Sequence, residues 1–353
     1  MARFPAIGKI SPEFFDRYVF PRLGVRRPEV LVLPRHGVDV GVVQIGPDWV
    51  MAVTTDPIYI VPQYGWERAA WFAWHILASD VTTSGFPPAY AVFDFNLPVG
   101  MTEEAFERVW AVIDGQNRKY GVTVIAGHTG WYPGVDYPMV GGATFIAVGP
   151  RDRYLTAEMA RPGDLVVVTK GAAIEAVGIL SNTFPHYVHT HLGEAVSRKA
   201  AALFERMSTV EDALTSVSIG VREEGVTAMH DATECGVLGG VWEVAEASGQ
   251  GIVLYKDEIP VLEEVRAVCD LFGIDPYTAI SEGTLIVTVR PSRADDLLKA
   301  LGSRGILARV VGEVRPPEQG KILIERGQAR PLEHPRVDPF WGAMQRALEQ
   351  GLT

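Results

Sequence analysis

The chain has 353 residues, of which 47% are hydrophobic and 21% are charged. This composition is typical of a globular protein with a large core and excludes a disordered or fibrous chain. Because domains usually span about 100 to 200 residues, the length predicts two domains. The formal net charge of -11 argues against a broad nucleic-acid or anionic-membrane surface, so we expect neither partner.

The sequence favours a cytoplasmic protein. The first 15 residues lack an apolar leader segment, and the longest uncharged apolar run, residues 69–79, is too short to span a bilayer, which takes about 20 residues. The two cysteines, Cys235 and Cys269, have neither disulfide-framework nor metal-knuckle spacing. A reducing compartment is therefore expected.

Helices and strands are mixed in the first half of the chain. Residues 10–23 predict a helix with Ser11 as N-cap, and a Gly-Pro-Asp turn separates two strand-like stretches, 37–46 and 49–56. Thr102 and the two glutamates that follow it predict the start of another helix. The remaining predicted elements are the helices 67–83 and 102–120 and the strands 89–97 and 122–126.

A glycine-rich stretch, residues 126–149, joins the strand that ends at Ala126 to a second apolar strand. Its polar residues include His128, Thr129 and Asp136. Glycine-rich turns let the backbone approach a ligand closely and offer N–H groups to anions. The stretch is interpreted either as a ligand-binding turn or as an ordinary hairpin loop.

The second half repeats the mixed pattern after a charged connector near residue 155. We therefore predict an α+β or α/β fold of two domains, residues 1–155 and 156–353. Residues 181–192 predict a long loop that carries His186, His189 and His191. The chain has neither a G-x-G-x-x-G fingerprint opening a βαβ unit nor a Walker A sequence, which disfavours the two common nucleotide-binding folds.

Four aspartates have apolar or small neighbours in the sequence, namely Asp39, Asp56, Asp80 and Asp136. Carboxylates in such surroundings are costly to bury unless they are paired or bind a metal, and hard oxygen ligands suit Mg²⁺. Asp80 also lies near a predicted helix C-terminus, where a negative charge favours a nearby cation. The alternative is that each aspartate only closes a turn or caps an element.

Other polar residues are weighed in the same way. The three histidines of the predicted loop lack a second ligand pair at zinc spacing, and His75 on an apolar helix is expected to be a core residue. His230 and Asp231 precede small residues that open a helix, a pattern suited to anion binding. Cys235 lies in that first turn, where a thiol pKa falls, but no partner pattern supports a nucleophile. Glu282, between a helix and a strand, is either a general base or a cap.

The order of these motifs resembles the aminoimidazole ribonucleotide synthetase superfamily, and in particular its hydrogenase-maturation dehydratase branch. The motifs that carry the resemblance run along nearly the whole chain. They are D-V-G-V-V at Asp39, V-T-T-D at Asp56, H-I-L-A-S-D-V-T-T-S-G-F-P-P at Asp80, V-I-A-G-H-T-G at residues 124–130, D-A-T-E-C-G-V at Asp231 and D-P-Y-T-A-I-S-E-G-T-L at Glu282.

The resemblance implies an amino-terminal domain that forms a β-barrel with its twin across a homodimer and a carboxy-terminal α/β domain alongside. It implies ATP and Mg²⁺ in the cleft, with Asp80, Asp231 and Glu282 as the catalytic residues. The residues implied to bind Mg²⁺ are Asp39, Asp56 and Asp80, and those implied to contact ATP are Asp39, Asp56, Gly127, His128, Thr129 and Gly130.

Two departures from that branch limit the resemblance. Gly127-His128-Thr129-Gly130 replaces the branch pattern G-D-T-K, so a carboxylate and a phosphate-binding lysine are absent here. The branch carries its substrate on a terminal cysteine, whereas this chain ends Gln350-Gly351-Leu352-Thr353, so we expect another acceptor.

Three hypotheses follow from the resemblance. The first is an ATP- and Mg²⁺-dependent enzyme that activates an amide-type or other carbonyl-type oxygen, or a small metabolite, by phosphoryl transfer. The alternatives are a small-molecule kinase of the thiamine-phosphate type and a nucleotide-binding accessory protein without turnover.

Overall fold

The computed structural model describes residues 8–353 and contains two β-sheets with helices packed against them. The first sheet has six strands in the order β1-β2-β3-β6-β4-β5. All neighbouring strands are antiparallel except β4 and β5. Its strands are β1 (Val30–Val32), β2 (Gly41–Gln44), β3 (Trp49–Tyr59), β4 (Pro88–Pro98), β5 (Thr123–Tyr132) and β6 (Met139–Pro150).

The second sheet has seven strands in the order β13-β12-β9-β11-β7-β10-β8. It is antiparallel except between β12 and β9. The central strands at Leu165–Thr169 and Leu285–Val289 are almost entirely buried, so their sequences are nearly continuous apolar runs rather than alternating ones. The strands are β7 (Leu165–Thr169), β8 (Val226–Asp231), β9 (Gly251–Tyr255), β10 (Leu285–Val289), β11 (Ala308–Arg315), β12 (Lys321–Glu325) and β13 (Gln328–Pro331).

Ten α-helices lie in the described residues, and a π-helical and a 3-10 stretch extend the first of them to Arg22. Ser11 caps this segment as predicted, since its hydroxyl accepts a hydrogen bond from Phe14 N. The helices are α1 (Pro12–Phe14), α2 (Trp66–Thr82), α3 (Glu103–Tyr120), α4 (Ile174–Thr183), α5 (Pro185–Ala201), α6 (Val210–Val217), α7 (Gly236–Ser248), α8 (Glu263–Phe272), α9 (Ala294–Ser303) and α10 (Pro339–Glu349).

The helix α3 forms as its end signals predict. Thr102 accepts a hydrogen bond from Ala105 N at 3.2 Å, and two glutamates follow it in the first turn. Gly121 ends the helix in the left-handed conformation, with a φ of 74°. The apolar face of α3 packs on the first sheet, where Trp110 contacts Phe93 and Phe95.

The helix α2 lies between the two halves of the molecule, which explains its high apolar content. Trp74 contacts Phe145 of the first sheet, whereas Phe72 packs against Phe204 from the second half of the chain. His75 is a core residue as expected, bonded to Ser208 Oγ at 2.7 Å and Gln116 Oε1 at 3.2 Å. Its burial lowers its pKa to about 3, so the ring is neutral.

Two predicted loops are regular structure. Residues 127–130 do not form a turn, because they continue β5, the edge strand of the first sheet, as far as Tyr132. The predicted histidine loop is wrong too, since His186, His189 and His191 lie on α5, which bends at Gly193. The glycines of the first segment and the polar residues of the second are typical of loops. Tertiary contacts nevertheless place the first segment in a sheet and the second in a helix.

The boundary predicted at residues 155 and 156 lies between β6 and β7, the last strand of the first sheet and the first strand of the second. It stays a prediction. The sequence reasoning also missed several elements, namely α6, α10, β12 and β13. No described helix is long and apolar enough to cross a membrane.

The contact between α2 and α3 gives a test of the core. The indole N–H of Trp74 donates to Asn117 Oδ1 at 2.8 Å in a buried position. We expect Asn117→Ala to lower the free energy of unfolding by about 2 kcal/mol, because it leaves a buried donor without an acceptor. Chemical denaturation measures the change. Asp114→Ala on the same helix is the control, since it removes only an exposed ion pair and should cost less than about 1 kcal/mol.

Candidate functional site

Four of the predicted acidic residues meet where the first sheet, α2 and the second sheet come together. Asp39 precedes β2, Asp56 lies on β3, Asp80 lies in the last turn of α2, and Asp231 ends β8. The hydroxyl of Thr54, on the same face of β3 as Asp56, donates to Asp80 Oδ2 at 2.8 Å. Residues far apart in the chain therefore form one carboxylate cluster.

His230 holds one side of this cluster together. Its Nδ1 bonds Asp39 Oδ1 at 2.7 Å and its Nε2 bonds Glu243 Oε2 at 2.8 Å. Burial opposes protonation of the ring, but the charges and hydrogen bonds of Asp39 and Glu243 outweigh it and raise the pKa of His230 well above its usual value. A ring that donates from both nitrogens is a cation, so it balances two acids and has no lone pair for a metal.

Two carboxylates beside the ring are potential metal ligands. One oxygen each of Asp39 and Asp231 and one ring nitrogen of His230 all lie within 4.8 Å of one another. Asp39 Oδ2 and Asp231 Oδ2 are buried and accept no hydrogen bond from the described residues. Orphaned buried carboxylate oxygens suit a hard divalent cation, so the residues fit Mg²⁺, with the carboxylates as its ligands.

Burial and mutual repulsion raise the pKa values of two acids in the cluster. Burial, and then the charges of Asp231, Asp56 and Asp39, raise the pKa of Asp80 well above its usual value. Burial and Asp39 likewise raise the pKa of Asp231 to about 7. The cluster therefore retains protons near neutral pH unless another cation is present.

Glu282 is a further buried acid next to the cluster. It is 1% exposed, and neither carboxylate oxygen accepts a hydrogen bond from the described residues. Burial, Asp231 and Glu175 raise its pKa well above the usual value. Gly283 next to it adopts a φ of 97° and approaches Arg206 O so closely that a Cβ would lie 2.3 Å away, which fixes the turn that carries Glu282.

Lys9 is a site residue that the sequence reasoning missed. The residue as a whole is exposed, but its ammonium donates to Thr233 Oγ1 at 3.2 Å and its backbone N–H donates to Glu234 Oε2 at 2.9 Å. Burial opposes its charge, yet the carboxylates of Glu243, Asp56, Asp80 and Asp231 together raise its pKa. A single lysine before a helix gives no sequence signal of this position.

Glu243 and Glu175 were also missed, and here a signal was present. Glu243 is one of two acids on the mostly apolar helix α7, and Glu175 is the one charged residue of α4. Burial opposes ionisation of Glu243, but the hydrogen bond from His230, together with His334 at 3.6 Å from its carboxylate, lowers its pKa. An isolated acid on a buried helix is a pattern that predicts a partner or a ligand.

The residues 127–130 are not brought to this cluster within one chain. Gly127 pairs with Phe93, which pairs with Ala143, which pairs with Asp56. Three strand spacings of about 4.8 Å place Gly127 about 14 Å from Asp56. His128 Nε2 instead bonds Tyr132 OH at 2.6 Å on the exposed edge strand. The roles predicted for Gly127, His128, Thr129 and Gly130 stay predictions.

Three further candidates also lie outside the cluster. Asp136 is an exposed turn residue that accepts a hydrogen bond from its neighbour Tyr137 N. His191 on α5 bonds the carbonyl of Tyr187, and the histidines of α5 form no metal group among the described residues. The expectation of a lowered thiol pKa at Cys235 is wrong, because burial and nearby acids raise it to about 12.

Two family models match the chain. The AIR synthase related protein, N-terminal domain, matches residues 37–148, and the corresponding C-terminal domain matches residues 161–325. A curated relative, the carbamoyl dehydratase HypE of Escherichia coli (strain K12), is 30% identical over 270 residues, which are 74% of this chain and 75% of that protein.

Solved structures share the fold. The crystal structure of the hydrogenase maturation protein HypE in complex with ATP aligns with a TM-score of 0.65 and 23% identity, covering 91% of each chain. AaThiL complexed with AMPPCP and TMP also aligns with a TM-score of 0.65, at 20% identity, covering 83% of this chain and 88% of that one. Both likenesses establish a common two-domain architecture.

The raised pKa values predict how Mg²⁺ affects thermal stability. Protons compete with the ion for Asp80 and Asp231, whose folded pKa values lie above the usual values. We therefore expect Mg²⁺ to raise the melting temperature more at pH 8 than at pH 5.5. Scanning calorimetry measures both shifts. Asp231→Asn should reduce the shift at pH 8, and equal shifts at the two pH values in the native protein would contradict the assignment.

Proposed function

The chain belongs to the AIR synthase related protein family, and on this premise we propose that it is an ATP- and Mg²⁺-dependent enzyme. It activates an amide-type or other carbonyl-type oxygen, or a small metabolite, by phosphoryl transfer. The observation that carries this proposal is the carboxylate cluster, in which Asp39 and Asp231 each present a buried oxygen without a hydrogen-bond donor. A cluster of this kind favours a divalent cation that also contacts phosphates.

The residues of the cluster have different roles in the proposed phosphoryl transfer. Asp39, Asp56, Asp80 and Asp231 would hold Mg²⁺, which would supply positive charge to neutralise the phosphates. His230 is hydrogen-bonded to Asp39 and so orients that carboxylate. Glu282, beside Asp231, lies where it would orient the acceptor or take its proton, and burial with the charge of Asp231 raises its pKa, which favours proton uptake.

The G-D-T-K pattern of the hydrogenase-maturation branch ends in a lysine, and Gly130 occupies that position in this chain. Lys9 would supply the missing cation. Its ammonium lies among the acids of the cluster and bonds Thr233, two residues after Asp231. An ammonium there would contact a transferring phosphoryl group as a point charge. In this chain the amino-terminal segment would thus replace a group from β5.

The proposed reaction has a defined balance of atoms. The acceptor oxygen forms a bond to the γ-phosphorus of ATP, and the bond from that phosphorus to the oxygen bridging it to the β-phosphorus breaks, releasing ADP. If the acceptor is an amide, later elimination carries its oxygen away in inorganic phosphate. If the protein is a kinase of the thiamine-phosphate type, the phosphorylated product accumulates instead.

Asp80→Asn tests the nucleotide site. We expect a loss of affinity for a non-hydrolysable ATP analogue with Mg²⁺ of about tenfold or more, because one charged ligand of a buried cation is removed. Isothermal titration calorimetry measures the affinity, and circular dichroism checks the fold. Asp136→Asn is the matched control, since Asp136 is exposed and outside the cluster. Unchanged affinity of the Asp80 variant would refute the nucleotide site.

Product analysis then separates the three functions. Transfer of ¹⁸O from a labelled acceptor to inorganic phosphate identifies oxygen activation, and a stable phosphorylated product identifies a kinase. Binding of ATP with no ADP formed from any acceptor identifies an accessory protein. Lys9→Met in the same assays should lower turnover if the ammonium contacts the transferring group.

We also propose that the first sheet pairs with a second copy of the chain to form a barrel. The face of this sheet away from α2 carries a row of apolar residues, Val53, Ile146 and Tyr90, on three adjacent strands. Trp49 on the same face is 51% exposed and Tyr90 is 41% exposed. A partly exposed apolar sheet face of this kind is typical of an interface.

Ile146→Glu tests the interface. A charge in the middle of the apolar row should convert a dimer to a monomer, because the carboxylate would lose its water without gaining a partner. Size-exclusion chromatography with light scattering measures the mass. Val99→Glu, at a position 65% exposed just beyond β4, is the control and should stay dimeric. A monomeric native protein would contradict the proposal.

A further inference from the structure

We propose that Glu175 and Glu282 form a subsite that binds the acceptor through a positively charged nitrogen group, such as an amidine, a guanidine or an amine. That the bound molecule is the acceptor rests on the proposed function. The preference for a cation does not, because it follows from the residues of the subsite alone.

Glu282 provides the first observation. Its carboxylate is almost fully buried, and both oxygens lack a hydrogen-bond donor among the described residues. Its own backbone N–H donates to Glu175 Oε2 at 2.9 Å, which brings the two acids side by side. A buried carboxylate without donors is costly, so the arrangement favours a ligand that carries N–H groups.

The surroundings of Glu175 provide the second observation. Burial, Asp338 and Glu234 raise the pKa of Glu175 to about 8, although the hydrogen bond from Glu282 N and the charge of Lys9 oppose them. Four acids therefore share this region with one lysine among the residues that act on Glu175. An additional cation would let the acids ionise together.

Two further acids near Glu175, Asp338 and Glu234, are held in place by backbone hydrogen bonds. Asp338 accepts hydrogen bonds from Cys235 N at 2.7 Å and Phe340 N at 2.9 Å, so its position is fixed by two helix starts. Glu234 accepts from the backbone of Lys9. Within residues 8–353, neither acid forms an ion pair with arginine, so both remain near Glu175 as acceptors of backbone hydrogen bonds.

The subsite adjoins the carboxylate cluster. Glu175 is partly exposed, whereas Glu282 lies deeper and is close enough to Asp231 for that charge to raise its pKa. Tyr64 is also near, since burial and Glu175 help to raise its pKa to about 12, and its ring packs on Phe204 at 5.1 Å. Aromatic rings beside carboxylates are suited to a nitrogen cation.

The charge of the subsite distinguishes between classes of acceptor. A carboxylate or phosphate group would be disfavoured beside the acids Glu175 and Glu282, where the nearby cations are Lys9 and Lys170, the latter already paired with Asp212. A neutral amide would satisfy hydrogen bonds but would not offset the clustered charge. A cationic nitrogen group does both, and charge-assisted hydrogen bonds are the stronger ones.

Three probes of nearly the same shape test this preference. Acetamidine is a cation, acetamide is neutral and acetate is an anion. Their binding to the full chain is followed by saturation-transfer NMR with Mg²⁺ and a non-hydrolysable ATP analogue present, so that the cation does not enter the metal cluster. We expect saturation transfer to acetamidine, much weaker transfer to acetamide and none to acetate.

Matched variants assign the binding to the subsite. Glu175→Gln and Glu282→Gln should each weaken acetamidine binding about tenfold, as expected for loss of a charge-assisted contact. Glu318→Gln, an exposed residue distant in sequence, should leave it unchanged. Thermal melting identifies any variant that fails to fold, and the other variant then carries the test.

Some outcomes would overturn the inference. Saturation transfer to acetate, or to acetamide as strongly as to acetamidine, would do so, as would acetamidine binding that both glutamine variants retain. The affinity for the ATP analogue is measured on the same samples. Acetamidine binding without nucleotide binding would refute the proposed function and support the subsite, whereas the reverse result would refute the subsite alone.

Discussion

Repulsion among buried carboxylates is the interaction on which the rest of the site depends. Asp39, Asp80 and Asp231 come from three elements, and bringing them together raises the pKa values of Asp80 and Asp231. Such a cluster persists only when cations or protons offset it. In this protein the cations that offset the carboxylates are His230, which bonds two acids at once, and the ammonium of Lys9. The same imbalance makes the cluster a binding site for a divalent cation.

The fold provides the rigid frame that this arrangement needs. The helix α2 packs with one side on the first sheet and with the other on residues from the second half of the chain, so Asp80 at its end is held between the two. Thr54 on β3 anchors Asp80 through its hydroxyl. On the other side, His230 and Asp231 end β8, a buried strand at the edge of the second sheet. Groups held by helices and strands keep their geometry when a ligand binds or leaves.

The two acidic regions suggest a division of labour within the proposed reaction. The carboxylate cluster with Lys9 suits Mg²⁺ and phosphates, whereas Glu175 and Glu282 suit the nitrogen-bearing end of an acceptor. Glu282 adjoins both, because Asp231 and Glu175 each influence its pKa. A group in that position is close to the point where phosphoryl donor and acceptor would meet. This geometry favours chemistry by positioning and charge neutralisation.

The sequence by itself determined the local elements with clear signals, such as the capped helix α3, and the family resemblance that its ordered motifs carry. It also singled out Asp39, Asp56, Asp80 and Asp136 as acids in apolar surroundings, and Asp231 and Glu282 by their place next to a helix or strand end. The first three of these and the last two lie in or beside the cluster, whereas Asp136 does not. Only the tertiary structure decided that residues 127–130 form an edge strand and that the histidines of α5 lie on a helix. It alone brought Lys9, Glu175 and Glu243 to the site. Local patterns report hydrogen bonding and burial along one element, whereas a counter-charge from a residue more than 200 positions away is set by packing alone.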